Sequence, residues 1–233
     1  MLTIIIPRPP PQAFQTNFPT TEAPIFQGGG IFTLGGTNGI DWQDVYSEGG
    51  SPGGTAYGAG PSDRVPVTLY NDCIATVQGR FSATKHYSQI VIRKDAGYTP
   101  PDSHEVELLG LFDIAGHSAK GYELTFAWET DVAPVRWNGA AGDFDAGVCS
   151  VVSGTPFPAV DGDLVKAVFD STSGNPLITL FRNGVQTVQW TDTSAGKILT
   201  GSPGIGFFAR PGTGLDMKKY AVRGAPGLVC GSA

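Results

Sequence analysis

The sequence predicts an all-β protein, built as a two-sheet antiparallel jelly-roll sandwich, and three observations predict it. Glycine (33) and proline (18) together supply 51 of the 233 residues, too many for long helices. Charged residues make up only 15% of the chain, whereas 40% is hydrophobic, which is enough for a packed core. Short β-rich runs separated by turn residues follow one another from about residue 65 to residue 223.

The first segment, residues 1–38, is predicted to be an extended N-terminal arm. It holds much of the proline and almost no charge, and proline excludes helix interiors and central strands. The arm also contains apolar anchors that a solvated linker would not need: Ile4, Ile5, Ile6, Phe14, Phe18, Ile25 and Phe26. We therefore expect the arm to become ordered against a neighbouring subunit or another protein of a larger particle.

The β-sandwich domain is predicted to span residues 39–226. Its strongest local signal is Asn183-Gly184 between two β-rich runs, because these residue types supply the two positive φ angles of a type I′ hairpin turn. In residues 122–129, Leu124 alternates with Glu123, which predicts a strand with one buried face and one face in water.

The last segment, residues 227–233, is predicted to be a flexible tail of small residues that contains Cys230. The chain has three cysteines, Cys73, Cys149 and Cys230, so they cannot all pair within one chain. Because a mobile tail meets foreign thiols more easily than a buried residue does, Cys230 is the candidate for an intermolecular disulfide.

Several motifs in the second half of the chain carry a resemblance to a known family. They are Gly121-Tyr122-Glu123-Leu124, Trp137-Asn138-Gly139, Gly162-Asp163-Leu164-Val165-Lys166-Ala167, Ile178-Thr179-Leu180-Phe181-Arg182-Asn183-Gly184-Val185 and Gly201-Ser202-Pro203-Gly204-Ile205-Gly206-Phe207. In this order they resemble the laminin-G-like domains of the concanavalin A-like lectin/glucanase superfamily. The resemblance covers about residues 65–223 and rests on turn and core residues, so it implies a jelly roll more strongly than any function.

The resemblance also indicates where catalysis would be expected. Members of the superfamily that hydrolyse glycans carry a Glu-x-Asp-x-x-Glu strand motif, which is missing from this sequence. The nearest run, Glu105-Val106-Glu107, lacks the central aspartate and is interpreted as a strand face in water. We expect no catalytic residues and no enzymatic activity, and we expect Glu105→Gln and Glu107→Gln to be nearly neutral.

Binding sites are expected on the loops at the sandwich rim. Laminin-G-like domains often hold calcium there, so Asp143 and Asp145 are candidate ligands and calcium is the candidate cofactor. Sugar recognition needs an aromatic platform beside hydrogen-bonding side chains, and Trp137 with Asn138 and Asp143 fits this requirement.

Charge and hydropathy exclude two partner classes. A net charge of −6 disfavours binding to nucleic acid, and no apolar run approaches the length that spans a bilayer. The first eleven residues do not read as a secretory signal.

Two functional hypotheses remain. The main one is a non-catalytic, homo-oligomeric assembly protein on a virion surface, such as a phage capsid decoration or tail protein tethered by its arm. The alternative is an extracellular carbohydrate-binding module or glycan-active enzyme that contacts surface glycans.

Overall fold

The computed structural model describes residues 13–25, 32–34, 45–58, 72–77, 81–100, 104–115, 118–139, 143–209 and 216–233. These residues form the strands β1 Ala13–Thr16, β2 Phe32–Leu34, β3 Val45–Glu48, β4 Thr55–Gly58, β5 Cys73–Val77, β6 Lys85–Lys94, β7 His104–Ala115, β8 Ser118–Ala127, β9 Ala133–Gly139, β10 Phe144–Ala146, β11 Ser150–Gly154, β12 Leu164–Asp170, β13 Leu177–Arg182, β14 Val185–Thr191, β15 Ser202–Ala209, β16 Tyr220–Arg223 and β17 Leu228–Ser232. Within these ranges the helical structure is one 3-10 turn, Met217–Lys219, and no helix there could cross a membrane.

The strands form two antiparallel sheets, which confirms the predicted all-β sandwich. The larger sheet has ten strands in the order β11-β14-β13-β12-β6-β16-β4-β3, with β17 beside β6 and β1 beside β17. The smaller sheet has seven strands in the order β10-β9-β8-β7-β15-β5-β2. The predicted hairpin joins β13 to β14, with φ angles of 52° at Asn183 and 83° at Gly184.

The main core lies between the two sheets. Residues on the inward faces of both sheets are fully buried there, among them Ile90, Leu108, Leu124, Phe126, Phe169, Ile178, Leu180 and Phe207. Phe169 of β12 lies directly over Gly110 of β7, where an added Cβ would come within 2.0 Å of the ring. The sheets therefore approach closely at this point, and only glycine fits.

A buried histidine supports an irregularity in β7. The pairing of β7 with β8 shifts between Gly110 and Asp113, and Leu111 at this bulge has a positive φ of 49°. The Leu111 N–H donates to His86 Nε2 at 3.0 Å, while His86 Nδ1 lies 2.9 Å from the carbonyl oxygen of Ser82. Because one ring nitrogen must accept and the other donate, the buried imidazole is neutral.

The arm prediction is wrong for the residues that the structure describes. Residues 13–16 form β1, which pairs with β17 of the same chain, with Ala13 opposite Gly231. Phe14, Phe18 and Ile25 are buried in this chain's own core rather than left open for a neighbouring subunit. The boundary at residue 39 therefore does not separate arm from domain. The proline-rich sequence is compatible with a strand at the edge of the sheet, which is where β1 lies. Ile4, Ile5, Ile6 and Phe26 lie outside the described residues.

The flexible-tail prediction is also wrong. Residues 228–232 form β17 between β6 and β1, and Cys230 is completely buried opposite Ser88. The small residues allow close packing here: a Cβ on Gly231 would lie 2.7 Å from the ring of Tyr87. All three cysteines are free and buried, so the structure does not support the intermolecular disulfide.

Burial of Cys230 predicts a thiol that does not react in the folded protein. Removal from water raises the pKa of its thiol, so little thiolate forms at neutral pH. We expect iodoacetamide to label Cys230 only after unfolding in urea, and a non-reducing gel to show no crosslinked dimer. Mass spectrometry of tryptic peptides checks this, and labelling of Cys230 in the native protein would contradict the strand placement.

Candidate functional site

The predicted rim residues lie at one edge of the seven-stranded sheet, where β10 pairs with β9. Phe144 lies opposite Trp137, and Asp145 lies opposite Arg136. Since side chains alternate along a strand, the two aromatic residues share the outer face of the sheet, whereas Arg136 and Asp145 face the inner side. The pairing of β9 with β10 ends at Asn138, whose backbone N–H donates to the carbonyl oxygen of Asp143 at 2.9 Å.

The aromatic residue that reaches solvent here is Phe144, not the predicted Trp137. Trp137 is only 2% exposed, so its ring faces are not open to a sugar. Phe144 is 41% exposed and packs on Trp137 with 5.4 Å between ring centroids. Among the residues whose exposure the structure describes, it is the one exposed aromatic side chain.

The polar side of the rim is a closed network around Asp145. Its Oδ2 accepts from Arg136 Nη2 at 2.7 Å and from Asn138 Nδ2 at 2.9 Å. The hydrogen bonds from Asn138 and Arg136 lower the pKa of Asp145. Because a guanidinium already neutralises Asp145, the predicted pair of Asp143 and Asp145 does not fit a calcium ion. Asp143 itself is exposed, and its Oδ1 lies 3.4 Å from Asn138 Nδ2.

Arg136 is anchored from beneath by Asp192, which is fully buried. Asp192 Oδ2 accepts from Arg136 Nη1 at 2.9 Å and from the Tyr122 hydroxyl at 2.8 Å, and its Oδ1 accepts from Ser194 N at 2.8 Å. Burial alone would raise the pKa of Asp192, but the hydrogen bonds from Ser194, Tyr122 and Arg136 lower it. Arg136 and Asp192 therefore form a buried ion pair that supports the rim network.

A second cluster, the acidic trio, consists of Asp72, Glu107 and Glu123 and lies on the outer face of the same sheet. Glu107 is on β7, Glu123 on β8, and Asp72 precedes β5. The prediction that Glu107 and Glu123 lie in water is wrong: Glu107 is completely buried and Glu123 is 4% exposed. Alternation correctly assigned them to the outer face, but that face is covered at this point, so the expectation that Glu107→Gln is nearly neutral does not hold for a buried side chain.

The strand register creates room for the trio. β15 runs between β7 and β5, with Gly206 opposite Glu107. A Cβ on Gly206 would lie 2.0 Å from Glu107 Oε2, so the carboxylate occupies the space that the glycine leaves. One carboxylate oxygen from each member of the trio lies within 4.8 Å of the other two.

The electrostatics of the trio are unfavourable for three negative charges. Burial, together with the charges of Glu123 and Asp72, raises the pKa of Glu107 well above its usual value. Burial also raises the pKa of Glu123, opposed by hydrogen bonds from Trp137 Nε1 at 2.6 Å and Thr125 Oγ1 at 2.7 Å. The trio therefore needs either protons or a cation to be stable.

Comparison with known proteins yields similar structures but no close relative. No protein-family model and no curated protein matches the chain. A carbohydrate-binding module from Bacillus subtilis, CBM66, is 11% identical, with 87% of this chain and 92% of that chain covered and a TM-score of 0.46.

Two plant lectins are similar to the same degree. The basic winged bean lectin, solved with Tn-antigen, is 11% identical, with 96% and 98% of the two chains covered and a TM-score of 0.47. Peanut lectin, solved with a nine-residue peptide, is 12% identical, with 96% and 97% covered and a TM-score of 0.47. At these identities and TM-scores the likeness carries no argument about what this protein does.

Proposed function

We propose that the protein is a non-catalytic, lectin-like carbohydrate-binding domain whose site is the rim of β9 and β10. The observation that carries the proposal is the exposed ring of Phe144 at the edge of the sheet, with the exposed Asp143 next to it in the chain. A sugar ring has apolar C–H faces and hydroxyl edges, so it needs an aromatic surface with hydrogen-bonding groups beside it. Phe144 supplies the surface, and Asp143 and Asn138, whose side chains alternate to the other face of the strand pair, supply polar groups at the sheet edge.

The platform is held in place before any ligand binds. Phe144 rests on the Trp137 ring, and the Trp137 indole is fixed by its hydrogen bond to Glu123. On the polar side, Arg136 Nε donates to Asn138 Oδ1 at 3.0 Å, which orients the Asn138 amide. A site whose side chains are already ordered loses little entropy on binding.

The burial of the strand carboxylates supports binding rather than hydrolysis. A glycosidase needs two carboxyl groups that reach the scissile bond. Glu107 is completely buried and Glu123 is 4% exposed, and Glu123 is already engaged by Trp137 and Thr125. In this arrangement neither carboxylate can contact a polysaccharide.

Removal of the platform tests the proposal. We expect the wild-type protein to be retained saturably on a glycan array and to bind the best-retained glycan in calorimetry. Phe144→Ala should weaken that binding about tenfold or more, equivalent to about 1.4 kcal/mol, because the stacking surface is lost. Phe144→Trp should retain it, because the surface is kept.

The matched control is Val185→Ala, since Val185 is 67% exposed but lies on β14 of the other sheet. It should bind as the wild type does. Unchanged affinity in Phe144→Ala, or an array without saturable retention, would contradict the proposal.

The virion-surface location and the homo-oligomer stay predictions. The N-terminal arm is one of the features that favour them, and its described residues pack against their own chain. Capsid, portal and tail genes beside the gene for this protein would support the particle role, which is compatible with glycan binding.

A further inference from the structure

We propose that the acidic trio of Asp72, Glu107 and Glu123 is a buried binding site for a calcium ion, separate from the glycan site on the rim. The ligands come from strands β7 and β8 and from the residue preceding β5, so the ion would join the β7–β8 hairpin to the segment that leads into β5. Four observations carry this assignment.

The first is the spacing of the oxygens. One oxygen from each carboxylate lies within 4.8 Å of the other two. Calcium binds oxygen at 2.3–2.6 Å, so two ligand oxygens on opposite sides of the ion are about 4.6–5.2 Å apart. The three oxygens therefore lie within the span that the ligands of a single calcium ion occupy.

The second is the state of Glu107. Neither of its carboxylate oxygens has a hydrogen-bond partner among the described residues, although the side chain is completely buried. A buried carboxylate without hydrogen bonds is costly, and the great majority of buried polar groups have partners. A cation would satisfy both oxygens at once.

The third is the orientation of Glu123. Its Oε2 accepts from Trp137 and its Oε1 accepts from Thr125. Each carboxylate oxygen has a further lone pair beyond the bond it already accepts, and hydrogen bonds of this kind orient metal ligands in proteins. Glu123 is therefore held in place but can still contact an ion.

The fourth is the chemistry of the donors and the space above Gly206. All three donors are carboxylate oxygens, which favours a hard cation over zinc or copper. Magnesium usually keeps several of its waters, and a trio this deeply buried has little room for them. The missing side chain at Gly206 leaves the room that the Glu107 carboxylate uses.

Calcium titration of the full chain tests the assignment. We expect millimolar calcium to raise Tm by roughly 5 to 10 °C once it exceeds Kd about a hundredfold. Glu107→Gln keeps the shape of the side chain but removes its charge, and it should weaken calcium binding at least about tenfold in calorimetry. Glu105→Gln, on the same strand two residues away, is the matched control and should keep the calcium response.

Terbium locates the ion, because it replaces calcium and emits when a nearby tryptophan is excited. Trp137 donates directly to a proposed ligand, so wild-type protein should sensitise terbium emission and Trp137→Phe should lose most of it. The calcium-induced shift in Tm should persist in Trp137→Phe and in the rim variant Phe144→Ala.

Three results would overturn the proposal. They are an unchanged Tm with calcium, binding of magnesium or manganese in preference to calcium, and equal calcium binding by wild type and Glu107→Gln. An unchanged Tm would mean that the trio is a protonated carboxyl cluster. A preference for magnesium or manganese would mean that it binds a different ion, and equal calcium binding by the two proteins would mean that the calcium site lies elsewhere.

Discussion

Replacing Asp192 with alanine is expected to lower the free energy of unfolding by about 3–5 kcal/mol. Asp192 is fully buried and accepts hydrogen bonds from Arg136 and Tyr122. Without it, a guanidinium that is only 8% exposed loses its buried counter-ion, and a buried phenol loses its acceptor. Urea denaturation followed by tryptophan fluorescence measures the change.

Asp145→Ala is the matched control, because Asp145 pairs with the same arginine but is 44% exposed. Water can replace an exposed carboxylate, so this variant should lose much less stability. Equal losses in the two variants would show that burial does not decide the strength of the pair.

The second large effect is a loss of stability in mild acid, caused by His86. Burial lowers the pKa of His86 from 6.5 to about 4, although its hydrogen bond to Ser82 opposes the shift. A depressed pKa contributes stability that is complete above pH 6.5 and is lost as the pH falls toward 4. The full difference corresponds to about 3 kcal/mol. The physical reason is that protonated Nε2 can no longer accept from Leu111 N.

His86→Gln isolates this contribution, because its amide oxygen can still accept a hydrogen bond but does not titrate. The free energy of unfolding should fall less steeply from pH 6.5 to 4 in His86→Gln than in the wild type. The comparison between the two proteins matters because other groups titrate as well. The pKa of His104 is also lowered to about 4 by burial, and the raised pKa of Glu107 acts in the opposite direction. An imidazole of His86 that titrates near pH 6.5 in NMR spectra of the folded protein would contradict the prediction.

The sequence was sufficient to predict the sandwich because its strongest signals are local. The hairpin at Asn183-Gly184 depends on two adjacent residues, and alternation along β8 correctly separates Leu124 from Glu123. Such signals follow from the backbone and need no knowledge of distant partners.

What the sequence could not predict depends on partners far along the chain. Proline content indicates that β1 lies at an edge, but not that its partner is β17, more than 200 residues away. For the same reason, the sequence around Cys230 predicts a flexible tail, whereas its pairing with β1 and β6 makes it a buried strand.

The two candidate sites were missed or misplaced for a related reason. The acidic trio becomes visible only when the register of β7, β8, β15 and β5 is known, since its members are spread over residues 72–123. At the rim, the sequence pattern indicates Trp137 as the platform because it is followed by Asn138 and Asp143 in the chain. Its pairing with Phe144 across β9 and β10 decides which of the two rings is covered.

The pairing of β1 with β17 also determines how the domain responds to mechanical load. Ala13 lies opposite Gly231, so a pulling force applied at these two points separates the strands from one end. In that geometry the hydrogen bonds between β1 and β17 break one after another, and each break requires little force. The rest of the sandwich would be loaded only after β1 has peeled away. Stretching would therefore release β1 first, while the two sheets stay packed together with Cys230 buried in the core between them, so the thiol would become reactive only in a later step.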